Sequence, residues 1–170
     1  MSTVLFITNN DLKRKSIVSG NVDPDKFIQY IKIAMDIHIE NYLGTKLYVR
    51  MQELIESGDI LNTANVNYLY LLNTYIKPMT IHWGLVEYLP FAAYQVSNHG
   101  VYKKLPEASE TVNKNEVDYL VEKERTVAQH YTRRCIDYLC VNSTLFPEYY
   151  QNNSGDVYPD KESDFGGWAL

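Results

Sequence analysis

Residues 22–55, VDPDKFIQYIKIAMDIHIENYLGTKLYVRMQELI, read as two helices joined by a glycine corner. Asp23 is placed to cap the first orphan amides, Pro24 occupies the first turn, and Asp25 complements the positive end of the dipole. Gly44 supplies a left-handed residue to end the helix, with Thr45 available to cap the next. At 100° per residue, Gln29, Lys32, Asp36 and Glu40 fall in one narrow polar stripe. Phe27, Ile28, Ile31, Ala34, Met35, Ile39 and Tyr42 cover one side, and Tyr30, Ile33 and Ile37 cover much of the other. A surface helix carries one apolar stripe, whereas this one is apolar over most of its circumference. Two readings follow. One is a central helix of a small bundle, and the other is a helix packed on its own core on one side and on a neighbouring subunit on the other.

The rest of the chain continues the helical pattern. Ser57-Gly58-Asp59 marks a break, and residues 62–76 read as a third helix. Pro78 predicts a new helix or a kink, and residues 79–96 continue, with a second kink at Pro90. Charged residues are nearly absent here, so this region should form the buried centre. Residues 97–113 have turn chemistry around Gly100 and Pro106 and a short extended piece near Val101 to Leu105, which predicts a projecting loop or small hairpin. Asn113 or Asn115 caps a last long helix, whose inner face is read as Val117, Leu120, Val121, Glu124, Val127, Ala128, Tyr131, Cys135, Tyr138 and Leu139. The fold class is mainly α, a small bundle of four to five helices with a projecting loop and an extended C-terminal arm. Residues 1–143 form the helical domain and residues 144–170 the acidic, aromatic arm.

Composition sets the outer limits. With 170 residues, 45% hydrophobic and 22% charged, the chain has the length and content of one globular domain. Most of the net charge of −5 falls on Glu148, Asp156, Asp160, Glu162 and Asp164, so the body before them is near neutral and offers no general basic patch for nucleic acid. The N-terminus lacks the features of a signal peptide, and no run of about 18 apolar residues suggests a membrane span. Cys135 and Cys140 point to different faces of a helix and read as small buried hydrophobes.

Chemistry-bearing motifs are scarce. The sequence has no phosphate loop, HExxH, CxxC or nucleophile elbow. His38 and His82 read as core residues with a satisfied nitrogen, and no catalytic residue, metal or cofactor is expected. The unusual component is tyrosine: fifteen against five phenylalanines. A ring with one polar end suits interfaces that stay partly wet. The interface residues read from the sequence are Tyr30, Ile33 and Ile37 on the first helix, Tyr102 in the loop, and Phe146, Tyr149, Tyr150 and Trp168 in the arm. Phe146 and Trp168 are its expected anchors in pockets of a neighbour.

Val22-Asp23 leading a helix with Ile31 and Ala34, then Gly44 and Leu47-Tyr48, a long apolar helical region, a hairpin-like loop and a final helix form an ordered pattern. Over residues 3–150 this pattern resembles the head–tail connector (adaptor) proteins of tailed bacteriophages, with a short strand-like piece at the N-terminus. Asn98 to Val101, Tyr131, Arg133 and Phe146-Pro147-Glu148-Tyr149 are similar to the version found in crAss-like phages. The resemblance implies a non-enzymatic virion protein at the portal vertex, assembled in the host cytoplasm. It would form a cyclic ring, usually dodecameric, that binds the portal protein and downstream tail or ring proteins. Genomic DNA passes through such a ring without specific binding, and no membrane is involved. The alternatives are a monomeric helical adaptor or regulatory protein without a virion role, and a small enzyme using His82, Trp83 and tyrosines.

Overall fold

The computed structural model describes residues 4–16, 24–92, 94–97, 100–103, 114–151 and 156–162, with the backbone alone for 24–26 and 94–103. The sequence supplies local reasons for each helix. Thr8 and Asp11 form a reciprocal capping box that starts α1 (Asn9–Lys15), where a strand-like piece was expected. Phe6 and Ile7 just before it are buried, which explains their apolar character without a strand.

α2 (Pro24–Ala34) begins at the proline, as expected; Asp23 lies outside the described residues. It runs through a π-helical turn, Met35–Ile39, into α3 (Glu40–Glu56), which breaks direction at Gly44 (φ 72°, ψ 152°). Thr45 does not cap the second half of that helix. Its hydroxyl donates to Glu40 Oε1 at 2.9 Å and accepts from the Val157 amide at 2.9 Å.

Short 3-10 turns at Asp59–Leu61 and Thr63–Asn65 lead into α4 (Val66–Leu71). A second π-turn, Leu72–Ile76, joins α4 to α5 (Lys77–Tyr88) without a break, and Pro78, which removes one helical donor, follows directly after this wider turn. The helix does not continue to Val96. Pro90 cannot donate within the ladder, so the chain leaves through a 3-10 turn, Leu89–Phe91. It enters a hairpin of β1 (Tyr94–Ser97) and β2 (Gly100–Lys103), antiparallel with Tyr94 opposite Lys103. The extended segment therefore starts earlier than the expected loop, and residues 104–113 lie outside the described residues.

α6 (Lys114–Val141) packs along α5, and α2 packs on another side of α5. α5 is thus the centre of a mainly α bundle, the expected fold class. Phe27, Ile31, Met35, Ile39, Leu43, Leu47, Met51, Leu71, Ile76, Met79, Ile81 and Leu85 are fully buried. Each such side chain contributes about 1.5–3 kcal/mol. Gly84 lets α2 approach closely, because a Cβ there would collide with Ile31 Cδ1. The inner face of α6 is rotated from its expected setting. Ala128, Thr132, Cys135, Ile136 and Leu139 are buried, while Leu120 and Val127 are exposed. Thr132 tolerates burial because its hydroxyl donates to Ala128 O at 2.8 Å and accepts from Trp83 Nε1 at 2.9 Å.

The C-terminal segment departs from expectation. A 3-10 turn (Ser143–Leu145) leads to α7 (Pro147–Tyr150), which packs on α3. Phe146 and Tyr149 are fully buried in the chain's own core, so neither is free as an anchor on a neighbour. Residues 156–162 return to the Gly44 corner. The Thr45 amide donates to Val157 O at 3.1 Å, the Asp160 amide donates to Asn41 O at 2.9 Å, and buried Pro159 rests against Gly44. Lys161 lies over the rings of Tyr149, Tyr150 and Tyr158 at 5.1, 4.4 and 5.5 Å. This stretch is a strap on its own body. A pocket within the same chain is filled at a far higher effective concentration than one on a neighbour. Trp168 lies outside the described residues.

Several buried acids should govern alkaline stability. Burial, together with the Glu148 carboxylate it donates to at 2.9 Å, pushes the Tyr68 phenol up to about 12. Burial pushes the Cys135 thiol to about 12 and raises Tyr48 and Tyr149 as well. Groups whose folded value is raised contribute stability that is complete below the unfolded value, about 10 for tyrosine. That stability is lost as the pH climbs through the folded value. Helicity followed by circular dichroism should therefore collapse between about pH 10 and 12. Retention of full helicity at the upper end would mean that holding these groups protonated costs less than the stability of the fold.

Candidate assembly surface

The outer side of α2 carries Tyr30 and Ile33, and the π-turn that continues it carries Ile37. The inner side is satisfied by α5, so these side chains turn away from the core. Ile33 is 39% exposed and Ile37 is 57% exposed. Tyr30 is half-buried, and its ring meets Tyr88 edge-on at 5.4 Å and stacks on Phe91 at 5.9 Å. Phe91, in the 3-10 turn after α5, is itself exposed. The result is an apolar ridge from Phe91 through Tyr30 to Ile33 and Ile37. The sequence reading identifies Tyr30, Ile33 and Ile37 but places Phe91 in the buried centre.

Tyr150 is on the surface but committed within the chain, where its hydroxyl donates to Leu139 O at 3.2 Å and Cys140 O at 3.3 Å at the end of α6. Tyr102 lies on β2, with its side chain outside the described residues.

A second surface, which the sequence reading did not single out, lies along α6. Tyr75 and Tyr138 stack at 4.7 Å, Tyr70 leans on both at 6.0 and 5.6 Å, and Arg134 lies over the Tyr75 ring at 5.6 Å. Tyr75, Arg134 and Tyr138, with Asp137, Val141 and Asn142, line an open depression of about 320 Å³. Burial raises the phenols of Tyr75 and Tyr138, with Tyr70 adding to both. The signal for this surface was present as a seven-residue recurrence in α6, with Val127, Arg134 and Val141 beside Tyr131 and Tyr138.

The histidines form two interhelical clasps. His38, in the first π-turn, stacks on Trp83 at 3.9 Å, and its Nε2 lies 2.9 Å from Glu87 Oε1. His82 Nδ1 lies 2.7 Å from Glu124 Oε2, and its ring stacks on Tyr131 at 5.4 Å. Each has the satisfied nitrogen expected of it, but both rings are half-buried rather than central. Sequence reasoning missed the carboxylate partners, which lie 49 and 42 residues away. Among the described residues, no three of His, Cys, Asp and Glu come close enough to hold a metal ion. No described helix is long and apolar enough to cross a membrane.

The sequence profile of a family described as "Family of unknown function (DUF6712)" matches residues 39–159, from the end of the first π-turn to the strap proline. No curated protein and no solved structure matches the chain.

Proposed function

We propose, for a chain that belongs to this family of unknown function (DUF6712), a structural and non-enzymatic role: a subunit of a cyclic ring at the portal vertex of a tailed bacteriophage. In this reading the ring joins the portal to downstream tail or ring proteins and extends the DNA channel. The observation that carries it is the Phe91–Tyr30–Ile33–Ile37 ridge, which the described residues leave partly exposed although α2 already fills the core with its other side. An apolar ridge of this kind is the surface a neighbouring subunit covers. The resemblance to connector proteins supplies the virion setting. A body close to neutral suits a channel through which DNA slides, since each added phosphate contact would retard it.

Ile37→Glu is the direct test. The position is exposed, so the variant should keep its helicity and thermal midpoint while losing incorporation into particles. Mass measurement of purified virions checks it. If the unmodified protein is absent from particles, the ring reading fails and the monomeric adaptor takes its place. Normal incorporation of Ile37→Glu would remove the ridge from the assembly contact.

A further inference from the structure

We propose that the two open surfaces are halves of one contact: the Ile33–Ile37 ridge of one copy seats in the Tyr75–Tyr138–Val141 depression of the next. This rests on the assembly reading above and names the partner of the ridge, a second copy of the chain. The two surfaces differ in form, a convex aliphatic ridge on α2 and a concave aromatic floor beside α6. A contact between unlike surfaces is head-to-tail, and it closes into a ring when the rotation allows.

Charge selects the partner and its direction. Beside the ridge, Lys32 Nζ and Asp36 Oδ2 form a half-exposed pair at 2.6 Å, with the cation nearer the helix N-terminus. Beside the depression, Arg134 precedes Asp137 on α6, again cation first. Laid antiparallel, the two helices bring Lys32 to Asp137 and Asp36 to Arg134. Laid parallel, they oppose like charges, which is unfavourable. The depression thus matches the ridge in apolar character and in the order of its charges. Val141 is 82% exposed at the end of the groove, where a partner side chain enters without displacing any helix.

Cross-linking of the full-length chain tests this. With exposed Cys140 replaced (Cys140→Ser) and buried Cys135 retained, Ile37→Cys and Arg133→Cys variants, which the antiparallel register sets opposite each other, are mixed at high protein concentration with a short bismaleimide. The mixture should yield a cross-linked dimer, the double variant a ladder of higher species, and either single variant alone no product. Asp36→Arg should cut the yield about fivefold, and Arg134→Asp in the partner should restore it. That rescue could not come from a folding defect. Self-cross-linking of Ile37→Cys alone would show a two-fold contact and overturn the proposal, as would the absence of product in the mixture. A protein present in virions without this cross-link would refute the pairing and leave the ring standing. Cross-linking by a protein absent from virions would do the reverse.

Discussion

Phe146→Ala should cost the fold about 3–5 kcal/mol, the usual range for removing a fully buried aromatic ring. Phe146 meets Tyr68 edge-on at 5.3 Å and Tyr138 at 5.9 Å, so its loss opens a cavity between α4, α6 and α7. Removing everything after Ser143 takes away Tyr149 as well. Two such losses approach the whole stability of an ordinary domain, about 5–15 kcal/mol. The truncated chain should therefore lose its cooperative denaturant transition, although residues 1–143 read from the sequence as a helical domain of their own. A sharp transition with unchanged midpoint would show that α7 is dispensable. Tyr149→Phe is the control. Its hydroxyl is buried without a hydrogen-bond partner among the described residues, so removing it should leave stability unchanged or raise it by about 1 kcal/mol.

Gly44→Ala should be nearly as damaging, for a different reason. At φ 72° and ψ 152°, Gly44 occupies backbone space essentially reserved for glycine, and strain of about 1–3 kcal/mol follows for any side chain. A Cβ there would also stand 2.7 Å from Pro159 Cδ, forcing the strap off the corner. The hydrogen bonds between Thr45 and Val157 and from Asp160 to Asn41 would loosen, each worth about 1 kcal/mol. Gly58 provides the comparison, since its φ of 79° with ψ −2° is the left-handed helical region, which other residues enter at lower cost, and nothing lies within 4 Å of an added Cβ. Gly58→Ala should show strain alone. Gly44→Ala should have the lower thermal midpoint and faster proteolysis near Tyr158. Equal losses for the two variants would show that the strap adds nothing at the corner.

If both results hold, residues 146–151 and 156–160 belong to the body and are not an arm. The proposed ring contact then rests on α2 and α6, which the core holds rigidly. Surfaces on helices are more accurately positioned than surfaces on tails, which suits a contact repeated around a closed ring.

The sequence by itself determined the helical class, the proline start of α2, the Gly44 corner and the two-sided character of the first long helix. These depend on local spacing, caps and backbone permissiveness, which a chain expresses within one or two turns. It also marked Tyr30, Ile33 and Ile37 as facing away from the first helix's buried side, because a fixed residue period determines face. Tertiary structure decided the rest. The helical period could not tell whether Phe146 and Tyr149 fill a neighbour's pocket or their own, since the apolar spacing is the same in both. It could not anticipate burial of Thr132, which depends on a hydroxyl meeting Trp83 across two helices. The His38–Glu87 and His82–Glu124 clasps, the stacking of Tyr75 on Tyr138 and the seating of Pro159 on Gly44 each join residues more than 40 positions apart. Long-range pairings of that kind arise from packing the whole chain at once, because no local preference carries the distance between two helices.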